Sequence, residues 1–195
     1  MKKMVYVIAL AAIALTSVSA FAQIDPAYQN DIGIYLDESG DTAWACLPLN
    51  TPTDAYLVLS RLTATEVLGW EARISFTNMT VLAFADRGQA IDIGTRPDEH
   101  VVGFAAPLPT VDGVVVVADL QIMVINNDPA YAFADEIYFS LLENGLPAYI
   151  DGASAGYSLH PVFGGVDDPI FIINEDCGPV AVEDASFGSV KSLFR

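Results

Sequence analysis

The run Gly113–Asn126, GVVVVADLQIMVIN, constrains the fold of this chain more than any other stretch. It is the longest apolar run outside the first 22 residues, and its β-branched valines favour an extended strand over a helix. In an extended chain Val116 and Leu120 lie on one face, whereas Asp119 and Gln121 lie on the other. We therefore predict a central β-strand that is covered on both sides. The face with Asp119 and Gln121 should be the more solvated one in the middle of the strand.

Short apolar segments separated by turn residues surround this strand in the sequence. They lie at 32–36, 42–49, 55–62, 69–76, 80–85, 90–93, 99–105, 136–142, 146–150, 157–162 and 170–173. Asn144-Gly145 is a hairpin signal between two of them. This spacing, without a convincing long helix, predicts an all-β fold: a single jelly-roll or Greek-key β-sandwich of about nine strands.

The first 22 residues have the composition of a signal peptide. Two lysines precede the apolar stretch Met4–Leu15, and Ala20-Phe21-Ala22 fits a cleavage site. The predicted division is a signal peptide at 1–22, a β-sandwich at 23–182 and a short C-terminal tail at 183–195. We therefore expect an exported protein that is periplasmic, cell-surface or extracellular in a bacterium.

The charge balance excludes two classes of partner. The chain has 25 acidic and 8 basic residues, and its net charge is −17. Such a chain repels nucleic acid and anionic lipid, and no later stretch is typical of a membrane helix, so neither nucleic-acid binding nor membrane insertion is expected.

Cys46 and Cys177 are the two cysteines of the chain. Two cysteines in an oxidising compartment usually pair, so we predict a disulfide between them. A loop of this length is credited with roughly 4–5 kcal/mol in the chain-entropy model. A zinc site is the rival interpretation, and two cysteines without nearby histidines cannot complete one.

The sequence matches one catalytic motif. Gly152–Gly156, GASAG, fits the G-x-S-x-G nucleophile elbow around Ser154, which needs a following helix and an acid and a histidine downstream. His160 is the last histidine and follows Ser154 too closely, so we interpret GASAG as a small-residue loop.

His100 and His160 also lack zinc-binding spacing. A glycosidase-type carboxylate pair stays open because such pairing is spatial.

Two acidic turns are candidate metal sites. Asp37, Glu38 and Asp41 form one oxygen-rich turn, and Asp167 and Asp168 form another. Calcium prefers such oxygen ligands, so it is the possible cofactor of this chain, although neither turn matches an EF-hand loop. Solvated surface acids are the alternative interpretation of both turns.

Aromatic residues near turns are candidates for stacking on sugar rings. Trp44, Tyr131 and Tyr157 form the predicted ligand-binding set, and Tyr35 is a further candidate. Trp70 alternates with apolar residues and is predicted to be buried.

The order of segments from Ala55 to Tyr149 resembles a cohesin-type module or a related carbohydrate-binding-module sandwich. The segments that carry the resemblance are AYLVLSRL, GWEARISF, NMTVLAFADRG, DGVVVVADLQIMV and EIYFSLL. The chain is also similar to secreted bacterial proteins that open with an IGIYLD-like strand and end with a V-K-S-L-F-R-like tail. The resemblance implies a jelly-roll sandwich without catalysis that binds a partner protein or a polysaccharide.

Three functional hypotheses follow. The first is a secreted, non-catalytic binding or surface-assembly module of cohesin-like type that engages a protein partner. The second is a carbohydrate-binding module that acts on an extracellular polysaccharide. The third is a secreted hydrolase, which would need Ser154 beside His160 or two carboxylates in a concave pocket.

Overall fold

The computed structural model describes residues 28–177, which form thirteen β-strands. None of these residues lies in a helix that is long and apolar enough to span a membrane. The strands are Asp31–Tyr35 (β1), Trp44–Ala45 (β2), Thr53–Ser60 (β3), Glu66–Thr77 (β4), Met79–Asp86 (β5), Ala90–Asp92 (β6), Glu99–Pro109 (β7), Val115–Val124 (β8), Ala130–Asp135 (β9), Ala148–Asp151 (β10), Gly156–Ser158 (β11), His160–Pro161 (β12) and Phe171–Ile173 (β13).

The strands form two sheets that enclose one apolar core. The five-stranded sheet has the order β12-β1-β3-β8-β5, and the eight-stranded sheet contains β11-β10-β4-β9-β13-β2 with β7 and β6 attached to β4. Leu57 and Ile122 from the first sheet share the core with Ile74 and Phe171 from the second. Burying a side chain of this size contributes about 1.5–3 kcal/mol. The predicted single β-sandwich is therefore confirmed, with β8 next to the middle of the five-stranded sheet.

A bulge in β8 corrects the predicted faces of the central strand. The β3–β8 register shifts between Leu57 and Val58. Val116 and Val117 of β8 therefore lie opposite one residue of β3, which defines a β-bulge. Val117 therefore joins Leu120 in the core, whereas Val116 packs against a smaller apolar cluster on the outer side. Strict alternation placed Val116 with Leu120, and that assignment was wrong.

The predicted strand 136–142 is also wrong. Those residues form a loop, and the strand lies just before it at Ala130–Asp135. Small alanines alternate with larger residues in β9, and the three alanines are buried. Their small size hides the period-2 pattern from a hydrophobicity count. Asn144-Gly145 consequently forms no hairpin turn, because the residues directly before it belong to this loop and not to a strand.

The predicted disulfide is present. Cys46 and Cys177 are bonded with their Cα atoms 5.9 Å apart and 131 positions apart in the sequence. Each cysteine follows one strand of the parallel pair β2–β13. The Asn174 side chain reinforces the same junction, because it accepts from the N–H of Leu47 at 2.7 Å and donates to the carbonyl oxygen of Leu47 at 3.1 Å. The segments 1–22 and 183–195 lie outside the described residues and stay predictions, as does the domain boundary at 182.

Candidate functional site

On the outer face of the eight-stranded sheet, one row of paired residues across four strands has glycines at its two middle positions. In the strand register Ile91 of β6 faces Gly103 of β7, Gly103 faces Gly69 of β4, and Gly69 faces Ile150 of β10. A Cβ atom on Gly103 would meet no atom within 4 Å. The two glycines thus leave a strip of bare backbone between two isoleucines, which we call the glycine trough.

Glu71 fastens a loop beside the trough. Its carboxylate accepts hydrogen bonds from the Ser140 hydroxyl and from the Leu141 N–H, both at 2.7 Å. This anchor holds the loop between β9 and β10 against the sheet. Tyr138 and Phe139, at the tip of the loop, are each 83% exposed and touch edge to face with ring centroids 4.6 Å apart. Two large aromatic side chains are therefore presented to solvent by a loop that is fixed at its base.

Two depressions lie side by side on this face. The first has a volume of about 140 Å³ and the second about 390 Å³. Glu71 and Val101 line both of them. Leu141 covers part of the first, and Ile93 contributes to the second. Ile91 and Ile93 of the neighbouring chain segment are 69% and 68% exposed and add large apolar side chains to this face. Monomeric soluble proteins seldom expose such a patch unless it binds something.

Charged side chains border the same face. Arg73 of β4 faces Glu99 of β7 on one side and Asp135 of β9 on the other. Its guanidinium lies 3.2 Å from the Asp135 carboxylate. Arg96 lies 3.8 Å from Glu99. An apolar centre with a charged border is the usual anatomy of a protein interface.

The sequence reasoning missed this site. The segment 136–142 was predicted to be a strand, and its tyrosine and phenylalanine were not among the predicted ligand-binding residues. Gly69 and Gly103 were given no functional role. A glycine inside a strand often marks a place where another chain approaches closely, and two glycines in apolar strands were the available signal.

The predicted ligand-binding aromatics lie in different environments. Trp44 and Tyr131 both face Ile172 of β13, so the register brings them together on one sheet. The Tyr131 ring is tilted by 38° to its neighbour Phe133, which is not the coplanar arrangement of a sugar-stacking platform. Glycan binding by these residues stays a prediction.

Tyr157 and Tyr35 are separate from that pair. Tyr157 stacks on Tyr149 with ring centroids 5.0 Å apart, and its hydroxyl donates to Asp151 at 3.2 Å. Tyr35 is fully buried, and burial raises its pKa to about 12. The interpretation of Tyr35 as a surface residue that could stack on a sugar was therefore wrong. Trp70 is 3% exposed, so its predicted burial is confirmed.

The acidic turn after β1 is held by its own hydrogen bonds. The carboxylate of Asp37 accepts from the Ser39 hydroxyl at 2.6 Å and from the backbone N–H groups of Asp41 and Thr42 at 3.0 and 2.9 Å. Burial acts to raise the pKa of Asp37, but these hydrogen bonds outweigh it and lower that pKa below its usual value. Glu38 points instead to Arg87.

The second acidic turn is held in the same way. The Asp168 carboxylate accepts from the Gly165 N–H at 2.6 Å. Within residues 28–177 no group of three or more histidine, cysteine or acidic side chains is placed to hold a metal ion. Calcium binding at Asp37, Glu38 and Asp41, or at the second turn, therefore stays a prediction of the sequence.

The structure separates the residues of the hydrolase hypothesis. Ser154 lies in the turn between β10 and β11 with a φ of +63°, so this short segment is a turn between strands rather than a strand-to-helix elbow. His160 belongs to the five-stranded sheet and stacks on Tyr28 with ring centroids 4.3 Å apart. No hydrogen bond joins Ser154 and His160. The interpretation of GASAG as a small-residue loop agrees with this geometry.

Comparison with known proteins returns solved structures of cohesin modules. The sixth cohesin of scaffoldin B from Acetivibrio cellulolyticus, solved in complex with a Cel5 dockerin, is 8% identical, with a TM-score of 0.49, and the match covers 75% of this chain and 99% of that one. The cohesin module of a family 33 glycoside hydrolase from Clostridium perfringens is 8% identical, with a TM-score of 0.45 and coverages of 67% and 90%. The non-cellulosomal cohesin of Archaeoglobus fulgidus is 8% identical, with a TM-score of 0.44 and coverages of 68% and 85%.

These matches agree with the cohesin-type resemblance of the sequence. No family model matches the chain, and no curated protein matches it. At these identities and TM-scores we take no function from the similarity. The sandwich architecture stands on the strand pairing of this chain, and its function has to be inferred from its own surfaces.

Proposed function

We propose that this chain is an exported, non-catalytic protein-binding module whose docking surface is the outer face of β6, β7, β4 and β10. The observation that carries the proposal is the glycine trough, a strip of bare backbone with Gly103 at its centre, next to a depression that Gly69, Leu141 and Ile150 line. A large apolar side chain of a partner protein would fill this depression. The cohesin-type resemblance of the sequence also implies a protein partner.

The exposed aromatic side chains support a docking role for this face. Tyr138 and Phe139 expose most of their surface, and burial of an aromatic side chain at an interface is a common source of binding energy. The loop is held by Glu71 through two hydrogen bonds, so little conformational freedom remains to be lost at its base on binding. A pre-organised loop beside an apolar depression favours specific association.

The disulfide supports the exported setting. Structural disulfides persist in oxidising compartments and are rare in the cytosol, and the Cys46–Cys177 bond joins the beginning and the end of the described fold. The signal-peptide composition of residues 1–22 points the same way. We therefore propose that the partner is met outside the cytoplasm.

Photo-crosslinking tests the docking surface. Phe139 is replaced by p-benzoylphenylalanine in the full chain, which is then irradiated with the extracellular proteins of the source organism. The control carries the same group at Thr51, an exposed loop position that precedes β3. We expect one predominant protein adduct from position 139 and none of the same identity from position 51.

A pair of variants at Gly103 sharpens this test. Gly103→Ala adds a methyl group into open space, whereas Gly103→Trp places an indole ring over the glycine trough. The alanine variant should form the same adduct as the parent protein, and the tryptophan variant should lose it. Equal adduct yields from both variants, or the same adduct from position 51, would contradict the proposed surface.

A further inference from the structure

A second surface lies on the other sheet, at the free edge of β5. This strand is the last one of the five-stranded sheet and pairs with β8 along one edge only. Within residues 28–177 no backbone hydrogen bond reaches its other edge. The eight residues Met79–Asp86 contain neither lysine nor proline, the two residues that commonly protect a sheet edge.

The pairing with β8 defines which backbone groups point away from the sheet. The Asn78 carbonyl oxygen, just before β5, accepts from the chain that follows β8, and the Arg87 N–H, just after β5, donates to β8. In an antiparallel ladder every second residue directs its N–H and C=O groups away from the partner strand. Counting inward from the two ends, the outward-directed groups include those of Val81 and Phe84. A bulge at Leu82 separates them.

A groove of about 460 Å³ runs beside this edge. It lies between β5 and the residues that precede and begin β7, and its floor includes the end of β4. The lining residues are Ile74, Ser75, Phe76, Met79, Thr80, Val81, Phe84, Pro97, Asp98 and His100. Most of these side chains are apolar, so side chains of an added strand would find apolar contacts there.

The far wall of the groove is held in place by neighbouring side chains. The His100 ring stacks on Phe84 with ring centroids 4.4 Å apart. On its other side, Nδ1 of His100 lies 2.9 Å from a carboxylate oxygen of Asp92. A groove with a fixed wall requires little rearrangement when a strand is added.

The charges of the chain indicate which kind of strand fits. The protein carries a net charge of −17, residues 28–177 contain no lysine, and each of their four arginines pairs with a carboxylate. Asp98 lines the groove and is 42% exposed. A second copy of the chain would meet like charge along this edge, whereas a basic segment would be attracted.

We propose that the free edge of β5 binds an extended, positively charged peptide of a partner as an additional strand of the five-stranded sheet. Outward backbone groups of β5 would supply the ladder hydrogen bonds, and the groove would take alternate apolar side chains. This surface is on the opposite sheet from the glycine trough and does not depend on the function proposed there.

Fluorescence anisotropy of the full chain with a defined probe tests this proposal. The probe is the labelled peptide Lys-Val-Thr-Val-Thr-Val-Thr-Val-Lys, and its controls are a version N-methylated on alternate residues and a version with glutamates at both ends. We expect saturable binding of the basic peptide and at least tenfold weaker binding of both controls. No binding of the basic peptide, or equal binding of the N-methylated peptide, would overturn the proposal.

Two matched variants localise the peptide. Val81→Pro removes an outward N–H of β5, whereas Val81→Ala shortens the same side chain and keeps that N–H. We expect at least tenfold weaker binding to the proline variant than to the alanine variant, with cooperative urea unfolding of both as the control for folding. Asp98→Asn, in the loop, should weaken binding at low salt, and Gly103→Trp should leave it unchanged. Equal affinities of the two Val81 variants, or loss of binding in Gly103→Trp, would show that the peptide binds elsewhere.

Discussion

Removal of the Cys46–Cys177 disulfide should destabilise the fold mainly through the unfolded chain. The bond closes a loop of 131 positions, and the chain-entropy model gives about 5 kcal/mol for a loop of that length. In the folded state the two cysteines are already held close by the parallel pairing of β2 and β13 and by the Asn174 side chain. Loss of the bond should therefore leave the native fold in place while the unfolded chain gains freedom.

The perturbation is the double substitution Cys46→Ser and Cys177→Ser in the full chain, which avoids a lone reactive thiol. With a urea dependence of about 2 kcal/mol per molar for a domain of this size, 5 kcal/mol corresponds to a midpoint about 2.5 M lower. Urea unfolding followed by tryptophan fluorescence measures the shift. The parent protein in excess reductant is the control and should match the serine variant.

A midpoint shift below about 0.5 M would refute this reasoning. That value corresponds to about 1 kcal/mol, and it would mean that the reduced unfolded chain keeps the two ends together or that the bond is strained in the folded state. Residual structure in the unfolded state would lower the urea dependence, whereas native strain would leave it unchanged. The slope of the transition therefore distinguishes the two explanations.

Three further substitutions have defined expected outcomes. Asn174→Ala leaves both the N–H and the carbonyl oxygen of Leu47 without their partner and should cost about 1–3 kcal/mol in urea unfolding. Burial and the nearby negative charge of Asp92 raise the pKa of Asp86. A carboxyl group with a raised folded-state pKa lowers stability as pH rises through that pKa, so Asp86→Asn should raise the urea midpoint at pH 7 and give no gain at pH 3. Gly33→Ala would place a Cβ atom 2.5 Å from the buried ring of Tyr35 and should cost about 1–3 kcal/mol by the same assay. An unchanged midpoint in any of these cases would contradict the contact on which it rests.

Much of the fold could be predicted from the sequence because large β-branched side chains mark it directly. The strand β4 alternates clearly through Trp70, Ala72 and Ile74, and all three are buried as expected. The failures occurred where side-chain size or backbone geometry breaks that pattern. The buried alanines of β9 are too small to give a hydrophobic signal. The bulge in β8 turns Val116 to the other face of the strand, and no residue type in the local sequence predicts that bulge.

The candidate site was less predictable, because it depends on two glycines that leave part of the sheet surface without side chains. The glycine trough forms where Gly103 and Gly69, which are 34 positions apart in sequence, face each other across two neighbouring strands. Sequence order alone gives neither that register nor the contact of Glu71 with the loop. The proline positions give a related example. The sequence does not show that β7 continues through Pro107 and Pro109, which it can do because its pairing with β6 ends at Phe104 and the freed edge needs no N–H donor.

Charge gives a common test of both proposed surfaces. All four arginines between residues 28 and 177 are engaged by carboxylates, so neither the glycine trough nor the β5 edge offers an unpaired cation to a partner. Attraction of a basic partner should therefore weaken as salt is added, because the Debye length falls from about 10 Å at 0.1 M to about 3 Å at 1 M. The contribution of the trough itself is apolar and should persist in high salt. A partner whose affinity is insensitive to salt is thus expected at the trough, and one whose affinity falls steeply is expected at the β5 edge.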